Sequence, residues 1–568
     1  MSMRAMWLAL SLLAPAVAAP AEAPVGARPP GAAIASAHSL ATDAGFEILA
    51  AGGNAFDAAV ATAAVLSVVE QTSSGIGGGG FYLLHFGDGR DSVFVDAREV
   101  APAAVRAADY LDAEGNLDRD RSVNGPLSAG IPGAVAAMEH VSSRYGTLPL
   151  ARTLQPAIRI AREGFPVYEK LARMAAARAQ VLARYPASAT LYLPGGEPVA
   201  VGHRLLQPDL AWSIGQIAEH GAEAFYRGEL AQRILAGVRA AGGNWTAQDL
   251  AGYRVVEREP IAFDYGGHRI VTAPPPSSGG VALATMLNVL SGYELQRLET
   301  APRVHLIVEA MRRAYRDRTL YLGDPDFVEV PVGRLVHPHY AAGLRASIRL
   351  DRATPSGILP GIESSGEGTD TSHLSIIDSE GNAVSATLTV NLPFGSGFTA
   401  PGTGIILNNE MDDFALKAGV PNAYGLIGVD ANAPEPGKRM LSSMTPTIVH
   451  SPDRLAVIGT PGGGRIITMV LTGVLELIRG AHPREVVAAP RFHHQYLPDV
   501  ISAEPGALDV GVRRWLGDAG HTISDGEQTW GNLQVVAWDK RAGTLAGGSD
   551  PRSGAGKARV EIADKTQP

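Results

Sequence analysis

The stretch Thr369-Asp370-Thr371-Ser372-His373-Leu374-Ser375-Ile376-Ile377-Asp378 reads as a cut site and a catalytic start at once. Before it lies a Gly/Ser-rich acidic loop, Ser364-Ser365-Gly366-Glu367-Gly368. After it, polar and apolar residues alternate from His373 to Ile376, which predicts a strand. A threonine that opens a strand after such a loop can be released as a new N-terminus. Its α-amine, with a pKa of roughly 7.7–8.0, then serves as the base for its own hydroxyl, and no histidine is needed. Most Thr-Ser-His triplets simply begin a strand, so the neighbours decide the reading.

Those neighbours have a register. Asp378-Ser379-Glu380-Gly381-Asn382 reads as a turn and residues 383–391 as a returning strand. With 379–381 as the loop, 378 faces 382, and counting back sets Thr389 opposite Thr371. Directly opposed residues hold their Cβ atoms about 4.5–5.5 Å apart, so two hydroxyls meet. Asn391 falls on the same face as Thr389, because strand side chains alternate with period two. A nucleophilic threonine, a second hydroxyl and a nearby amide make an acyl-transfer cluster. The bland alternative is a Thr-rich edge hairpin, and another loop length would break the pairing.

The rest of the chain bounds the setting. Its 568 residues, 46 % hydrophobic with a formal net charge of −9, suffice for a large core. The mild acidity and scattered arginines give no support for nucleic-acid binding. There are no cysteines, which removes disulfides and thiol chemistry together. Residues 1–18 read as a signal peptide: Arg4, an apolar run over 5–14, and Ala16-Val17-Ala18 before a cut at Ala19, with a second possible cut after Ala23. That run is short of the roughly 20 residues a spanning helix needs. Residues 19–32 are Pro/Ala-rich and expected to be disordered. With abundant Ala, Gly and Arg, these features predict a periplasmic bacterial protein.

Along the chain, residues 39–70 follow a helical pattern broken at Gly52-Gly53-Asn54. Residues 81–86 and 92–96 read as a hairpin turning at Gly87-Asp88-Gly89. Residues 130–350 read as mainly helical; from 371 strands return, with a helix at 466–479. Strands at both ends with helices between predict an α+β sandwich. Gly77–Gly80 lacks the GK[ST] of a phosphate loop, and Phe81 opens a strand, so a close backbone approach is expected. Gly459-Thr460-Pro461-Gly462-Gly463-Gly464 differs, because a helix follows and successive N–H groups at its start can hold an anion. Asp412-Asp413 and His493-His494 could pass for metal ligands, but the spacing of the first fails and adjacent histidines diverge. No metal or cofactor is expected.

At this point the chain resembles the γ-glutamyltranspeptidases, members of the N-terminal-nucleophile hydrolases. The resemblance rests on a set of motifs in family order. These include Gly52-Gly53-Asn54-Ala55-Phe56-Asp57, Ser74-Gly75-Ile76-Gly77-Gly78-Gly79-Gly80-Phe81, Asp96-Ala97-Arg98-Glu99 and Pro274-Pro275-Pro276-Ser277-Ser278-Gly279-Gly280. Further along come Asn408-Asn409-Glu410-Met411-Asp412-Asp413, Leu441-Ser442-Ser443-Met444, Pro461-Gly462-Gly463 and Asp550-Pro551-Arg552-Ser553. They run from about residue 33 to 555.

The resemblance implies a four-layer αββα sandwich and one globular unit cut into two interleaved subunits, 19–370 and 371–568. It implies that Thr371 is the nucleophile, that Thr389 positions it, and that Gly462 and Gly463 hold the oxyanion. Arg98, Ser442 and Ser443 match residues that bind a substrate α-carboxylate. Asp413, helped by Glu410 and Asn391, matches the group that pairs with its α-ammonium. Glu410 is Gln in some relatives, and a second negative charge there is expected to tighten ammonium binding or to raise one carboxylate's pKa. Residues 418–437 match a lid loop in which Tyr424 covers the substrate. The implied activity transfers the γ-glutamyl group of glutathione to water, amino acids or peptides. The alternatives are a cephalosporin/glutaryl acylase of the same family and, more remotely, a non-catalytic binding protein.

Overall fold

The Thr371 strand and its return lie at the middle of a seven-stranded sheet. The computed structural model describes residues 28–359, 371–526 and 528–563. The expected signal peptide, the loop 364–368 and Asp370 lie outside the described residues. Thirteen strands build two sheets: β1 (Gly31–Ser36), β2 (Gly79–His85), β3 (Val93–Ala97), β4 (Val256–Arg258), β5 (Ile261–Tyr265), β6 (His268–Thr272), β7 (Ser372–Ile377), β8 (Ala383–Thr389), β9 (Thr447–His450), β10 (Arg454–Gly459), β11 (Gln534–Asp539), β12 (Thr544–Ser549) and β13 (Lys557–Ile562). The first sheet runs β13-β1-β7-β8-β2-β3-β4 and the second β12-β11-β10-β9-β6-β5. Strands from before and after Thr371 are interleaved in the first sheet and joined edge to edge in the second.

Both faces of the central hairpin are buried, and this makes the layers. Tyr82, Leu84, Leu374, Ile376, Val384 and Ala386 pack against the helices α1 (Ser39–Ala50) and α2 (Ala55–Val69). Phe81, Leu83, Ile377 and Ala383 turn the other way, into a core shared with Ile448, Val457 and Val535 of the second sheet. Outside that sheet lie α3 (Gly279–Leu290), α4 (Thr300–Tyr321) and α5 (Ile466–Ile478). The result is helix–sheet–sheet–helix, as expected. None of the helices among the described residues is long and apolar enough to cross a membrane.

The register agrees with the count from sequence. Ala383 pairs with Ile377, and the ladder continues to Leu388 opposite Ser372, so the next step sets Thr389 across from Thr371. The turn closes with Asp378 N–H donating to the Asn382 carbonyl at 3.0 Å. The Asp378 carboxylate accepts the N–H groups of Glu380, Asn382 and Ala55 at 2.9 Å each. The hairpin tip is thereby tied to the first residue of α2. The Gly77–Gly80 run is a close approach: a Cβ at Gly78 would collide with the Thr389 carbonyl, and one at Gly77 with that of Ile406.

Two expectations need correction. The disorder expected through residue 32 ends earlier, because Gly31–Ser36 is β1, paired on both sides with β13 and β7; ladder hydrogen bonds outweigh the Pro/Ala-rich composition. The mainly helical reading of 130–350 missed β4, β5 and β6. β5 and β6 are short and join through Gly266-Gly267, both at positive φ, a two-residue hairpin turn that glycine permits.

Candidate active site

Thr371 and Thr389 line one small cavity together with Arg98, Asn391, Glu410, Asp413, Tyr424, Ser442, Ser443 and Gly463. Ten of the eleven site residues expected from sequence therefore converge, drawn from sequence positions more than 350 apart. Gly462 is the neighbour of Gly463 and stands just behind this lining. Leu426, Met444 and Ile466 complete the wall. The cavity they leave is small, about 20 Å³.

Each wall is fixed locally. Thr371 is buried at 4 % exposure. Thr389 Oγ1 accepts the Asn391 N–H at 2.7 Å, which orients the hydroxyl that faces Thr371. Asn391 has φ of 74°, a conformation asparagine tolerates better than most residues, and it donates its amide to the Asn409 carbonyl at 3.0 Å. Asn409 returns a side-chain acceptor to Leu392 N–H at 3.0 Å. This exchange brings the 3-10 turn Glu410–Asp413 against the end of β8.

Arg98 enters at the end of β3, fully buried. Its Nη1 lies 2.6 Å from Glu410 and 3.5 Å from Glu99, and its Nη2 is 2.6 Å from Asp413. Nε donates to the Met440 carbonyl at 3.2 Å. Three carboxylates around one guanidinium cannot all stay ionised in a dry site. Burial pushes Glu99 up to about 7 against the pull of Arg98. Burial also raises Glu410 well above the usual carboxylate range, with Glu99 and Asp413 adding repulsion. Burial therefore favours the protonated form of Glu410 even beside Arg98, while Asp413 pairs with the other side of the same guanidinium at 2.6 Å.

The turn that carries Asp413 also ties down the expected lid. Asn422 Nδ2 donates to Asp413 at 2.8 Å and Ala423 N–H to Asp412 at 2.7 Å. Tyr424 donates its hydroxyl to the Asn391 carbonyl at 2.7 Å, and its ring occupies the space a Cβ on Gly463 would need. Only glycine fits there. Gly462 and Gly463 have φ of 141° and 54°, and they lead through a 3-10 turn, Gly463–Arg465, into α5. Asp412 itself is spent on Ser122 and Arg119, at 2.8 and 3.0 Å. His493 and His494 are structural: His493 bonds Thr468 and Gln495, each at 2.8 Å, and His494 bonds Asp499 at 3.1 Å.

Sequence reading missed what holds Ser442 and Ser443. The Pro274–Gly280 motif does this: Ser442 N–H donates to the Pro276 carbonyl at 2.9 Å, and Ser278 gives both its N–H and its hydroxyl to the Ser442 carbonyl, at 2.8 and 2.7 Å. Behind them Arg318 of α4 reaches the hydroxyls of Ser278 and Ser443 at 3.1 and 3.4 Å. In sequence Arg318 is one of several arginines on a helix of mixed polar and apolar residues, and nothing marks it out.

An αββα sandwich with a threonine at the start of a central strand, beside a glycine-rich turn that opens a helix, defines the N-terminal-nucleophile hydrolase class. Residues 41–560 match the family model for γ-glutamyltranspeptidase, and the chain belongs to that family of transferases and hydrolases. It is 44 % identical to a glutathione hydrolase proenzyme of Pseudomonas sp. strain A14, over 88 % of this chain and 87 % of that one. It is 41 % identical to the glutathione hydrolase proenzyme of Escherichia coli K12, over 92 % and 90 %. Among solved structures, a cephalosporin acylase from Bacillus halodurans superposes with a TM-score of 0.83 at 31 % identity, covering 97 % of this chain and 99 % of that one.

Proposed function

We propose that this enzyme works as a γ-glutamyltransferase and glutathione hydrolase with Thr371 as nucleophile. The observation that carries the reading is the convergence of Thr371, Thr389, Gly463 and the Arg98–Asp413 pair on one cavity. In the precursor the Thr371 hydroxyl attacks the Asp370 carbonyl. The peptide nitrogen leaves as the new α-amine, and water hydrolyses the ester to give subunits 19–370 and 371–568. The freed α-amine then takes the hydroxyl proton as Thr371 attacks the γ-carbonyl of glutathione or another γ-glutamyl compound. Gly462 and Gly463 hold the oxyanion, where one lost donor costs about 3–4 kcal/mol of transition-state stabilisation. The proton passes to the departing amine, and water or an acceptor amine takes the γ-glutamyl group from the ester. Removal of residues 1–18 on export to the periplasm precedes these steps.

Substrate selection follows from charge. Arg98 and Asp413 now neutralise each other, and an α-amino acid end carries the complementary pair: its carboxylate takes Arg98, with Ser442 and Ser443, while its ammonium takes Asp413 and Asn391. The 418–437 loop with Tyr424 narrows this cavity, and in this reading it moves aside as a donor enters. The likeness to a cephalosporin acylase favours a second reading, deacylation of glutaryl side chains. A glutaryl group brings a carboxylate without an ammonium, so it would compete with Asp413 for Arg98 and leave Asp413 unpaired. The γ-glutamyl reading is the better fit.

The test is direct. Purified protein is expected as two bands, the smaller beginning Thr-Ser-His-Leu, releasing p-nitroaniline from γ-glutamyl-p-nitroanilide faster when glycylglycine is added. Thr371→Ala is expected to give one uncut, inactive chain. A fully cut Thr371→Ala protein would refute autocatalysis.

A further inference from the structure

We propose that Arg318 is a specificity-determining positioning residue for the carboxylate end of the donor, acting through the hydroxyl of Ser443; this rests on the γ-glutamyl reading above. Arg318 sits near the C-terminal end of α4 at 5 % exposure. Its Nε donates to Ser278 Oγ at 3.1 Å and its Nη2 to Ser443 Oγ at 3.4 Å. Among the described residues no carboxylate forms an ion pair with it. The other buried arginines of the region differ: Arg98 has Asp413 and Glu410, and Arg312 and Arg313 share Glu309. A buried guanidinium without a counter-ion is costly, and an incoming anion relieves that cost.

Hydrogen-bond direction says where the anion goes. A guanidinium has donors only, so Ser443 Oγ accepts from Arg318 and its own proton points elsewhere. Ser442 Oγ likewise accepts, from the Met444 N–H at 3.1 Å. Both hydroxyls are thereby turned into donors, and both line the cavity with Thr371. Arg98 is paired with Asp413 and Glu410, so the guanidinium behind this wall that has no ion pair among the described residues is that of Arg318. Burial depresses the basicity of Arg318 and Asp413 partly restores it, as fits a cation held for an anionic ligand. The arrangement selects donors that carry a carboxylate next to the reacting acyl chain.

The experiment compares two donors that differ only in that carboxylate, γ-glutamyl-p-nitroanilide and 4-aminobutyryl-p-nitroanilide, in wild type, Arg318→Gln and Arg318→Lys. Self-cleavage into two bands checks that each variant folds. Arg318→Gln is expected to lose roughly thirty-fold or more in kcat/KM for the γ-glutamyl donor, mainly through KM. It should stay within about three-fold of wild type for the 4-aminobutyryl donor, the pattern of lost recognition and not of lost catalysis. Arg318→Lys should recover part of the preference because it restores the charge without the fork. Equal losses with both donors, or an unchanged preference, would overturn the role of Arg318. A wild type that does not distinguish the donors would overturn the carboxylate subsite itself. Should Arg318→Gln fail to process, Ser443→Ala supplies the same comparison, and retention of the wild-type preference there refutes the relay.

Discussion

Asp413 is where a single side chain separates the two acyl-transfer chemistries. It faces Arg98 at 2.6 Å and accepts from Asn422 of the covering loop, so it meets any ligand that parts that ion pair. Truncating one partner of a desolvated charge pair costs about 2–5 kcal/mol, or roughly thirty- to several-thousand-fold in kcat/KM. Asp413→Asn is expected to lose that much with γ-glutamyl donors. Glutaryl donors should be spared or improved, since their carboxylate would reach Arg98 without displacing an anion. Self-cleavage should persist, because the Asp370–Thr371 bond does not use this pocket. Wild-type preference for glutaryl over γ-glutamyl-p-nitroanilide would instead make the acylase reading the right one.

At the scale of the element, the β7–β8 hairpin supplies two threonines of different use. Thr389 stands across from Thr371 and is fixed by the Asn391 N–H. Thr387, two pairs further in, bonds the buried His373 ring at 2.9 Å, away from the cavity. Thr389→Ala should therefore slow both processing and turnover while the protein stays folded. Thr387→Ala should leave processing nearly intact and instead lower stability by about 1–3 kcal/mol, the cost of leaving a buried partner unsatisfied. A cleavage time course read beside denaturant midpoints distinguishes them, and equal slowing by the two variants would contradict the register or the role drawn from it. The register was legible because one turn, Asp378–Asn382, sets it and alternation carries it seven residues along each strand. The β5–β6 hairpin was legible in principle, from Gly266-Gly267, but its partly exposed strands hardly stand out between helices.

Over the whole molecule, buried neutral histidines set the acid limit. Burial lowers His373, His493 and His521 to about 3, and His494 to about 4. Each therefore binds fewer protons folded than unfolded below pH 6.5, so stability from each is complete above 6.5 and is lost as pH falls toward its folded value. The raised Glu99 and Glu410 act in the opposite sense, losing stability as pH rises above about 4.5. A single variant isolates one contribution. His521 is buried, its Nε2 is 2.8 Å from His305 Nδ1, and its Nδ1 meets no partner. His521→Gln, made in the uncut Thr371→Ala background so that the pieces stay joined, should flatten the fall in unfolding free energy between pH 6.5 and 4.5 by about 1.4 kcal/mol per pH unit. Denaturant titrations at three pH values measure the slope, and an unchanged slope would mean His521 is already charged in the folded protein.

The sequence by itself determined the strand that Thr371 opens, its register and the glycine-rich turn before α5, because each depends on contacts between residues near in the chain. Turn chemistry, period-two alternation and glycine's conformational freedom are local physics. The family motifs carried the rest of the residue list. Only the tertiary structure decided how those residues act on one another. That Glu410 is raised by burial beside Arg98, that Asp413 shares the same guanidinium, and that Arg318 meets Ser443 with no ion pair among the described residues are all consequences of packing. The charge state of a group depends on how far water is excluded and which charges stand within a few ångströms. Neighbours up to 315 residues away supply both, and no local reading of the chain contains them.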